Sequence, residues 1–382
     1  MDSSYNEELN IFRETVVKFI ENEIAPFYEE WEKNKIIPKS LWHKMGEEGL
    51  LCCDIPEEYG GFGVDFNFNM VVAEEIAKAG FFSLSTNLVV HADIAAHYVL
   101  NKGTEEQKQK YLPEMVSGEC IGAICMSEPG AGSDLQGMKT TATKTDKGWS
   151  ISGSKTFITN GQNSKLYIVA AKTNLEVATA KGLTLFLIDE DMPGFSRGQN
   201  LHKIGQHAGD TSELFFDNVE VTEEHVLGEI DKGFFNLMEE LPRERLALAC
   251  VATAHAEGAL ALTTDYVKER KAFGATLSKL QDIRFKIAEM ATEIEMHRVV
   301  IESYKQKLAN KALSTEQASM AKYSATEMEF SVTNRCLQLF GGYGYMTEYP
   351  ISRYFLDARV QTIYGGTSEI MKEIISRSIL GR

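Results

Sequence analysis

Between residues 147 and 216 the chain reads Lys147-Gly148-Trp149-Ser150-Ile151-Ser152, then Phe157-Ile158-Thr159-Asn160-Gly161, Tyr167-Ile168-Val169, Leu183-Thr184-Leu185-Phe186-Leu187-Ile188 and Leu214-Phe215-Phe216. Each run is short and rich in β-branched or aromatic residues, and turn signals such as Lys147-Gly148 and Asn160-Gly161 separate them. This predicts a small antiparallel sheet domain, sandwich or barrel, starting near Cys120 and ending near residue 230.

On both sides the period changes to that of helices. Leu9, Phe12, Val16, Phe19 and Ile20 recur at three- and four-residue spacing, as do apolar residues over 68–80 and 88–100. Pro38 sits near the start of a helix carrying Leu41 and Met45, and Gly60, Gly61 and Gly63 mark an irregular connector. After Gly233 the pattern predicts a helix from about Pro242 to Val267 and others over 280–310, 315–340 and 368–380. Four long amphipathic stretches with short loops suggest a four-helix bundle. The order is segregated, not alternating βα. The expected class is α+β: an N-terminal helical domain (1–120), a middle β-domain (121–230) and a C-terminal bundle (231–382).

A chain of 382 residues, 43% hydrophobic and 25% charged, has enough apolar material for two or three packed domains. Its net charge of −16 argues against nucleic acid or an anionic membrane as partner, although one basic cleft would suffice for an anionic small ligand. Cys52, Cys53, Cys120, Cys125, Cys250 and Cys336 have neither metal-site nor disulfide-framework spacing, which favours buried reduced thiols. His91, His97, His202, His207 and His255 form no ligand pattern, so no metal is expected. The opening MDSSYNEELNIF lacks the features of a signal or transit peptide, and no segment reads as apolar for long enough to span a bilayer. The expectation is a soluble cytoplasmic protein, or alternatively the mature form of an organellar one whose presequence is already gone.

Three glycine-rich segments stand out. Met126-Ser127-Glu128-Pro129-Gly130-Ala131-Gly132-Ser133-Asp134 follows the apolar run Ile121–Cys125. A dinucleotide fingerprint would need glycine at Leu135, and a Walker loop would need lysine at Met138, so neither applies. A tight ligand loop and a plain turn both remain open. Gln338-Leu339-Phe340-Gly341-Gly342-Tyr343-Gly344-Tyr345 closes a helix. A helix-ending glycine would explain Gly341 but not the whole cluster. In Tyr364-Gly365-Gly366-Thr367-Ser368-Glu369 a glycine pair precedes a helix start, whose free N–H groups can receive an anion or a carbonyl oxygen.

Together these segments resemble the signature regions of the acyl-CoA dehydrogenase family. Phe157–Gly161, Phe216-Asp217-Asn218-Val219, Val226-Leu227-Gly228-Glu229 and Arg270-Lys271-Ala272-Phe273-Gly274 add to the match, in family order over essentially the whole chain. The resemblance implies FAD between the β-domain and the bundle. Met126, Ser127, Gly132, Ser133, Phe157, Ile158 and Thr159 stand at positions that meet the flavin. Arg270, Phe273, Gln281, Gln338, Leu339, Gly341, Gly342, Thr367 and Glu369 stand at other cofactor positions. Phe157 replaces a common tryptophan and Ser127 a common threonine, so ring and hydroxyl are kept. Because relatives share some of these residues between subunits, the resemblance also implies a homotetramer. It further implies an acyl-CoA substrate and electron-transferring flavoprotein as oxidant.

Such an enzyme removes the α-proton of a thioester and passes the β-hydride to the flavin. It needs a carboxylate near the α-carbon and donors for the thioester oxygen. Many relatives carry the base in a Tyr-Glu-Gly-Thr run, whereas this chain reads Tyr364-Gly365-Gly366-Thr367. The long-chain and isovaleryl branches supply glutamate from another helix, here Leu241-Pro242-Arg243-Glu244-Arg245-Leu246. The resemblance to the long-chain branch therefore places the base at Glu244. Read without it, Glu244 is an acidic residue in a first turn headed by Pro242, where the dipole favours one. Burial would raise its pKa, while Arg243, Arg245 and the helix N-terminus would lower it. Ser133, Phe235, Arg243, Arg245, Gly365 and Gly366 are the expected substrate contacts, with ion pairing an alternative for the arginines. A diverged flavin oxidase or desulfinase acting on an acyl-CoA is the competing reading, because such members lose the usual glutamate.

Overall fold

A computed structural model describes residues 3–381. Seven α-helices precede the sheet: α1 (Ser3–Phe19), α2 (Tyr28–Asn34), α3 (Lys39–Glu47), α4 (Phe66–Lys78), α5 (Phe82–Leu88), α6 (Ala96–Lys102) and α7 (Glu105–Val116). Side-chain caps fix several starts. Asp65 accepts from the Asn67 N–H at α4, and Thr104 and Gln107 form a reciprocal capping box at α7. α5 runs into α6 through a π-helical stretch, Val89–Ala95, whose wider turn re-aims the side chains after it. The predicted apolar stripes over 68–80 and 88–100 fall in α4 and in this α5–α6 run.

Eight strands follow: β1 (Gly122–Cys125), β2 (Thr141–Thr145), β3 (Gly148–Thr159), β4 (Leu166–Lys172), β5 (Leu183–Asp189), β6 (Phe195–Asn200), β7 (Thr211–Val221) and β8 (Val226–Leu227). They form one sheet in the order β6-β7-β3-β2-β4-β5-β8, with β1 beside β4. Tyr167, Val169, Phe186 and Ile188 pack on one face with Trp149 and Phe216. Leu166, Ile168, Leu185 and Leu187 point the other way, into the core shared with the helices. Burial on both faces explains the unbroken apolar runs of β4 and β5. The sheet is antiparallel apart from the β1–β4 and β2–β4 pairings. Trp149–Ser152 and Phe157–Thr159, two runs in the sequence, are one strand with a register shift between Lys155 and Ile158.

The helical part returns with α8 (Gly233–Glu269) and a small hairpin of β9 (Lys271–Ala272) and β10 (Ala275–Thr276). α9 (Gln281–Ala309), α10 (Thr315–Phe340), α11 (Pro350–Ala358) and α12 (Ser368–Leu380) complete it. α8, α9, α10 and α12 are the four predicted long helices, and α8, α9 and α10 share Ala256, Ala259, Met290, Ile294, Met328 and Val332 in one cluster. The start of α8 needs correction: it begins at Gly233, and Pro242 lies inside it. Phe234, Leu237, Met238 and Leu241 already keep the helical spacing, so packing carries the helix through the proline. The expectation that no segment is apolar enough to span a bilayer also fails for α8. Its most apolar stretch passes on length and composition, but 78% of that stretch is buried inside the molecule. All six cysteines are free and buried.

An interior proline leaves the carbonyl four residues earlier, that of Met238, without its helical donor, at a cost of roughly 3 kcal/mol. Pro242→Ala should therefore raise the thermal midpoint by a few degrees. A midpoint that stays level or falls in calorimetry would show that this carbonyl is already satisfied.

Candidate active site

Glu244 sits within α8 at 7% exposure. The hydroxyl of Tyr98, on α6, donates to its Oε1 at 2.9 Å. Burial pushes the carboxyl up to about 7. Tyr98 and Arg245 pull it down, and Glu240, one turn earlier, pushes it up. The expected influence of a helix N-terminus is absent, because Gly233 lies roughly three turns upstream. Arg243 also points elsewhere. Its Nη2 lies 2.6 Å from Asp54 and 2.7 Å from Asp93, and its guanidinium lies over the Phe66 ring. His97 Nε2 is 3.0 Å from Asp54, and the Asn69 amide donates to both aspartates. Burial disfavours the Asp54 charge, but His97 and Arg243 outweigh it and hold that carboxyl well below its usual range. Arg243 is thus an ion-pair residue tying α8 to the N-terminal helices. Both flanking arginines have an Nε without a partner among the described residues, but Arg243 is committed to two carboxylates, whereas Arg245 makes only a hydrogen bond from its Nη1 to Ser319.

The Gly365-Gly366 turn lies against the next turn of α8. Both glycines have left-handed backbone, with φ of 63° and 97°. A Cβ at Gly365 would stand 2.3 Å from Leu248 Cδ1, and one at Gly366 would stand 3.9 Å from Arg245 Nη2. The fully buried Lys322 donates to the Gly366 carbonyl at 2.7 Å. Burial and the nearby Arg245 bring this lysine down to about 8. Thr367 caps α12 by accepting from the Ile370 N–H, and Glu369 is exposed in its first turn.

The loop after β1 is held from below. Glu128 accepts from the Lys139 and Thr140 N–H groups and from the buried Lys155 ammonium at 2.9 Å. Lys155 also donates to the Met126 carbonyl. Gly130 and Gly132 face open space, and Ser133 is exposed. The Thr156 N–H donates to the Ser127 carbonyl, which joins the loop to β3 beside Phe157. Phe157 is 69% exposed and has φ of 59°, a conformation that a bulky residue adopts only where its surroundings impose it. The bulge between Lys155 and Ile158 turns this ring out of the sheet, while Ile158 returns to the core. A second group lies apart. A cleft of about 650 Å³ is lined by Arg270, Phe273, Gln338, Leu339, Gly341 and Gly342 among others, and Gln281 opens α9 beside it.

The chain matches three family profiles: Acyl-CoA dehydrogenase, N-terminal domain, over residues 6–119; middle domain, over 123–219; and C-terminal domain, over 231–380. The chain belongs to the acyl-CoA dehydrogenase family. It is similar to the mitochondrial long-chain specific acyl-CoA dehydrogenase of Rattus norvegicus, at 47% identity over 98% of this chain and 87% of that one. The mitochondrial isovaleryl-CoA dehydrogenase of Solanum tuberosum is 37% identical over 96% and 89%. Among solved structures, an acyl-CoA dehydrogenase from Geobacillus kaustophilus superposes with a TM-score of 0.96, at 46% identity and 98% coverage of both chains.

An acyl-CoA dehydrogenase is an oxidoreductase of the CH–CH group, and its chemistry asks for a proton acceptor near neutral pH in a water-poor site. A carboxyl at about 7 meets that demand. The structure brings Arg245 to Gly366 and Leu248 to Gly365, on the helix that carries Glu244, and leaves Phe235 half exposed near Lys232. Sequence reading missed Tyr98, Glu240, Leu248, Lys155 and Lys322, whose roles come from contacts with no local signature. The buried histidines are structural: His91 lies between the Gly122 N–H and the Met115 carbonyl, and His255 pairs with Glu329. Among the described residues, no His, Cys, Asp and Glu cluster could hold a metal.

Removing Arg243 would leave Asp54 and Asp93 buried without their cation. Arg243→Met should cost about 3–5 kcal/mol in denaturant unfolding, with part recovered by adding Asp93→Asn. A loss of about 1 kcal/mol or less, the range of a surface ion pair, would contradict the assignment.

Proposed function

We propose that this chain binds FAD and oxidises a long-chain or branched acyl-CoA to trans-2-enoyl-CoA, with Glu244 as base and electron-transferring flavoprotein as oxidant. The observation that carries this reading is Glu244 itself: buried, near pKa 7, and on the helix that packs against a glycine turn whose left-handed backbone disfavours a side chain. Similarity to the long-chain enzyme of Rattus norvegicus supports the substrate class. The cofactor reading is supported by two local fits. Phe157 offers an exposed ring beside the open glycines of the 126–133 loop, which suits a flat isoalloxazine. Arg270 lines a cleft beside the Gln338–Gly342 helix end, and its guanidinium suits a pyrophosphate. FAD bound there supplies the acceptor for the hydride leaving the β-carbon.

The protein's own part is proton transfer and charge stabilisation. Tyr98 engages Oε1 of Glu244, which leaves Oε2 to take the α-proton. The Gly365 N–H is the protein's donor to the thioester oxygen, and Lys322 fixes that turn through the Gly366 carbonyl. The exposed side chains of Phe273, Phe285, Met296 and Val299 support contact with a neighbouring subunit, hence a homotetramer. Six buried thiols support a reducing compartment, cytoplasmic or organellar. The domains 1–120, 121–230 and 231–382 would meet at this site.

Glu244→Gln should retain FAD and acyl-CoA but reduce the flavin about 10²–10⁴-fold more slowly under anaerobic conditions. In wild type the rate should fall as pH drops through about 7, because the base must be ionised. The stability effect has the opposite sense. A raised carboxyl pKa destabilises the folded state progressively from about 4.5 to about 7, and fully above that. Glu244→Gln should therefore melt higher than wild type at pH 8 and equally at pH 4. Near-normal flavin bleaching in the variant would remove Glu244 as base. Oxygen consumption without an added acceptor would instead mark an oxidase.

A further inference from the structure

α6 and α8 meet along a polar seam. On α6, Tyr98, Asn101 and Lys102 share one face, at i, i+3 and i+4. Opposite them α8 presents Glu244, Glu240 and Glu239. The Tyr98 hydroxyl meets Glu244, the Asn101 amide donates to both oxygens of Glu240 at 3.1 and 3.0 Å, and Lys102 pairs with Glu239. Lys102 also lies 3.7 Å from Glu240. The adjacent His97 anchors α6 to Asp54, which Arg243 ties back to α8. Each end of the Tyr98–Glu244 bond is therefore fixed by a neighbouring residue in sequence.

We propose that Tyr98 is a positioning residue for the base, its hydroxyl holding the Glu244 carboxylate in one orientation from a helix face registered by Asn101 and Lys102. The inference rests on Glu244 being that base. Tyr98 is fully buried, and burial together with the Glu244 charge pushes its hydroxyl well above the usual tyrosine range, so it stays a donor whenever Glu244 is ionised. The bond favours the ionised carboxylate. Glu240 opposes it from the same helix, and Arg245 supports it. Lys102 faces Glu240, and Lys322 of α10 faces Arg245 from beyond the Gly365-Gly366 turn. Donor and opposing charge thus act on one group with opposite sign.

That opposition supplies the test. Anaerobic flavin reduction by a saturated acyl-CoA is followed by stopped flow from pH 5.5 to 9.5 in holoenzyme. Tyr98→Phe keeps the ring and removes the donor, and its acid limb should move up by about one to two pH units. Glu240→Gln keeps an acceptor for Asn101 and removes the charge, and its acid limb should move down. General loosening of the α6–α8 contact would move both limbs the same way, or lower both rates at every pH. Either result overturns the inference, as does a Tyr98→Phe limb that superposes on wild type. If Glu244→Gln in the same assay still bleaches its flavin, the base assignment fails, whatever the limbs do. A dead Glu244→Gln with an unmoved Tyr98→Phe limb sinks only the role of Tyr98.

Discussion

Taking a carboxylate out of water costs several kcal/mol unless donors replace the lost hydration. Glu244 bears that cost in the middle of the molecule, and its neighbours either set the cost or offset it. The helix that carries it is 37 residues long, roughly 55 Å, and touches the sheet, the N-terminal helices and the rest of the bundle. Arg243 and Arg245, adjacent along the chain to Glu244, point into different surroundings. Arg243 locks the N-terminal helices onto α8, while Arg245 crosses to Ser319 of α10. The carboxylate between them is framed by two separate packing contacts.

The glycine at 365 and the glutamate at 244 make one steric arrangement. Leu248, one turn after Glu244, occupies the space that a Cβ at 365 would need, and the positive φ there disfavours any side chain. The missing carboxylate in Tyr364-Gly365-Gly366-Thr367 therefore has a local steric and backbone reason. The turn can lie against α8 because it carries no side chain, and that closeness brings its backbone to Leu248 and Arg245, on the helix that carries Glu244. Lys322 holds the turn from the opposite side through its carbonyl.

Much of this was legible in the sequence. Strands β4 and β5 announced themselves as apolar runs because they are buried on both faces, and α9, α10 and α12 fell where their periodicity put them. The start of α8 was misread because Pro242 is a strong local signal for a first turn, while the competing signal from Phe234, Leu237, Met238 and Leu241 is a weaker spacing that only packing makes decisive. The dipole argument for the Glu244 environment failed with it. β3 looked like two strands because the bulge at Phe157 interrupts its pattern. The partners of Glu244 and Arg243 were beyond reach for another reason. Tyr98 lies 146 residues from Glu244, and Asp54 lies 189 from Arg243. No local pattern encodes such pairs, so motifs could single out Glu244 as a candidate while its environment stayed out of reach.

That environment bears on how the site tolerates its ligand. If the proposed acyl-CoA binds here, its apolar chain removes still more water beside Glu244 and pushes the carboxyl further up. A carboxyl already near 7 in the free protein has little room before it is protonated at working pH. Burial strengthens hydrogen bonds and charge interactions as it removes solvent, since the local dielectric falls. The Tyr98 hydroxyl and the Arg245 guanidinium thus gain weight at the moment the substrate excludes water, and so does the opposing charge of Glu240. Asn101 and Lys102 engage Glu240 and draw its charge toward α6. On the proposed reading, the polar seam between α6 and α8 would respond to substrate occupancy through solvent exclusion alone.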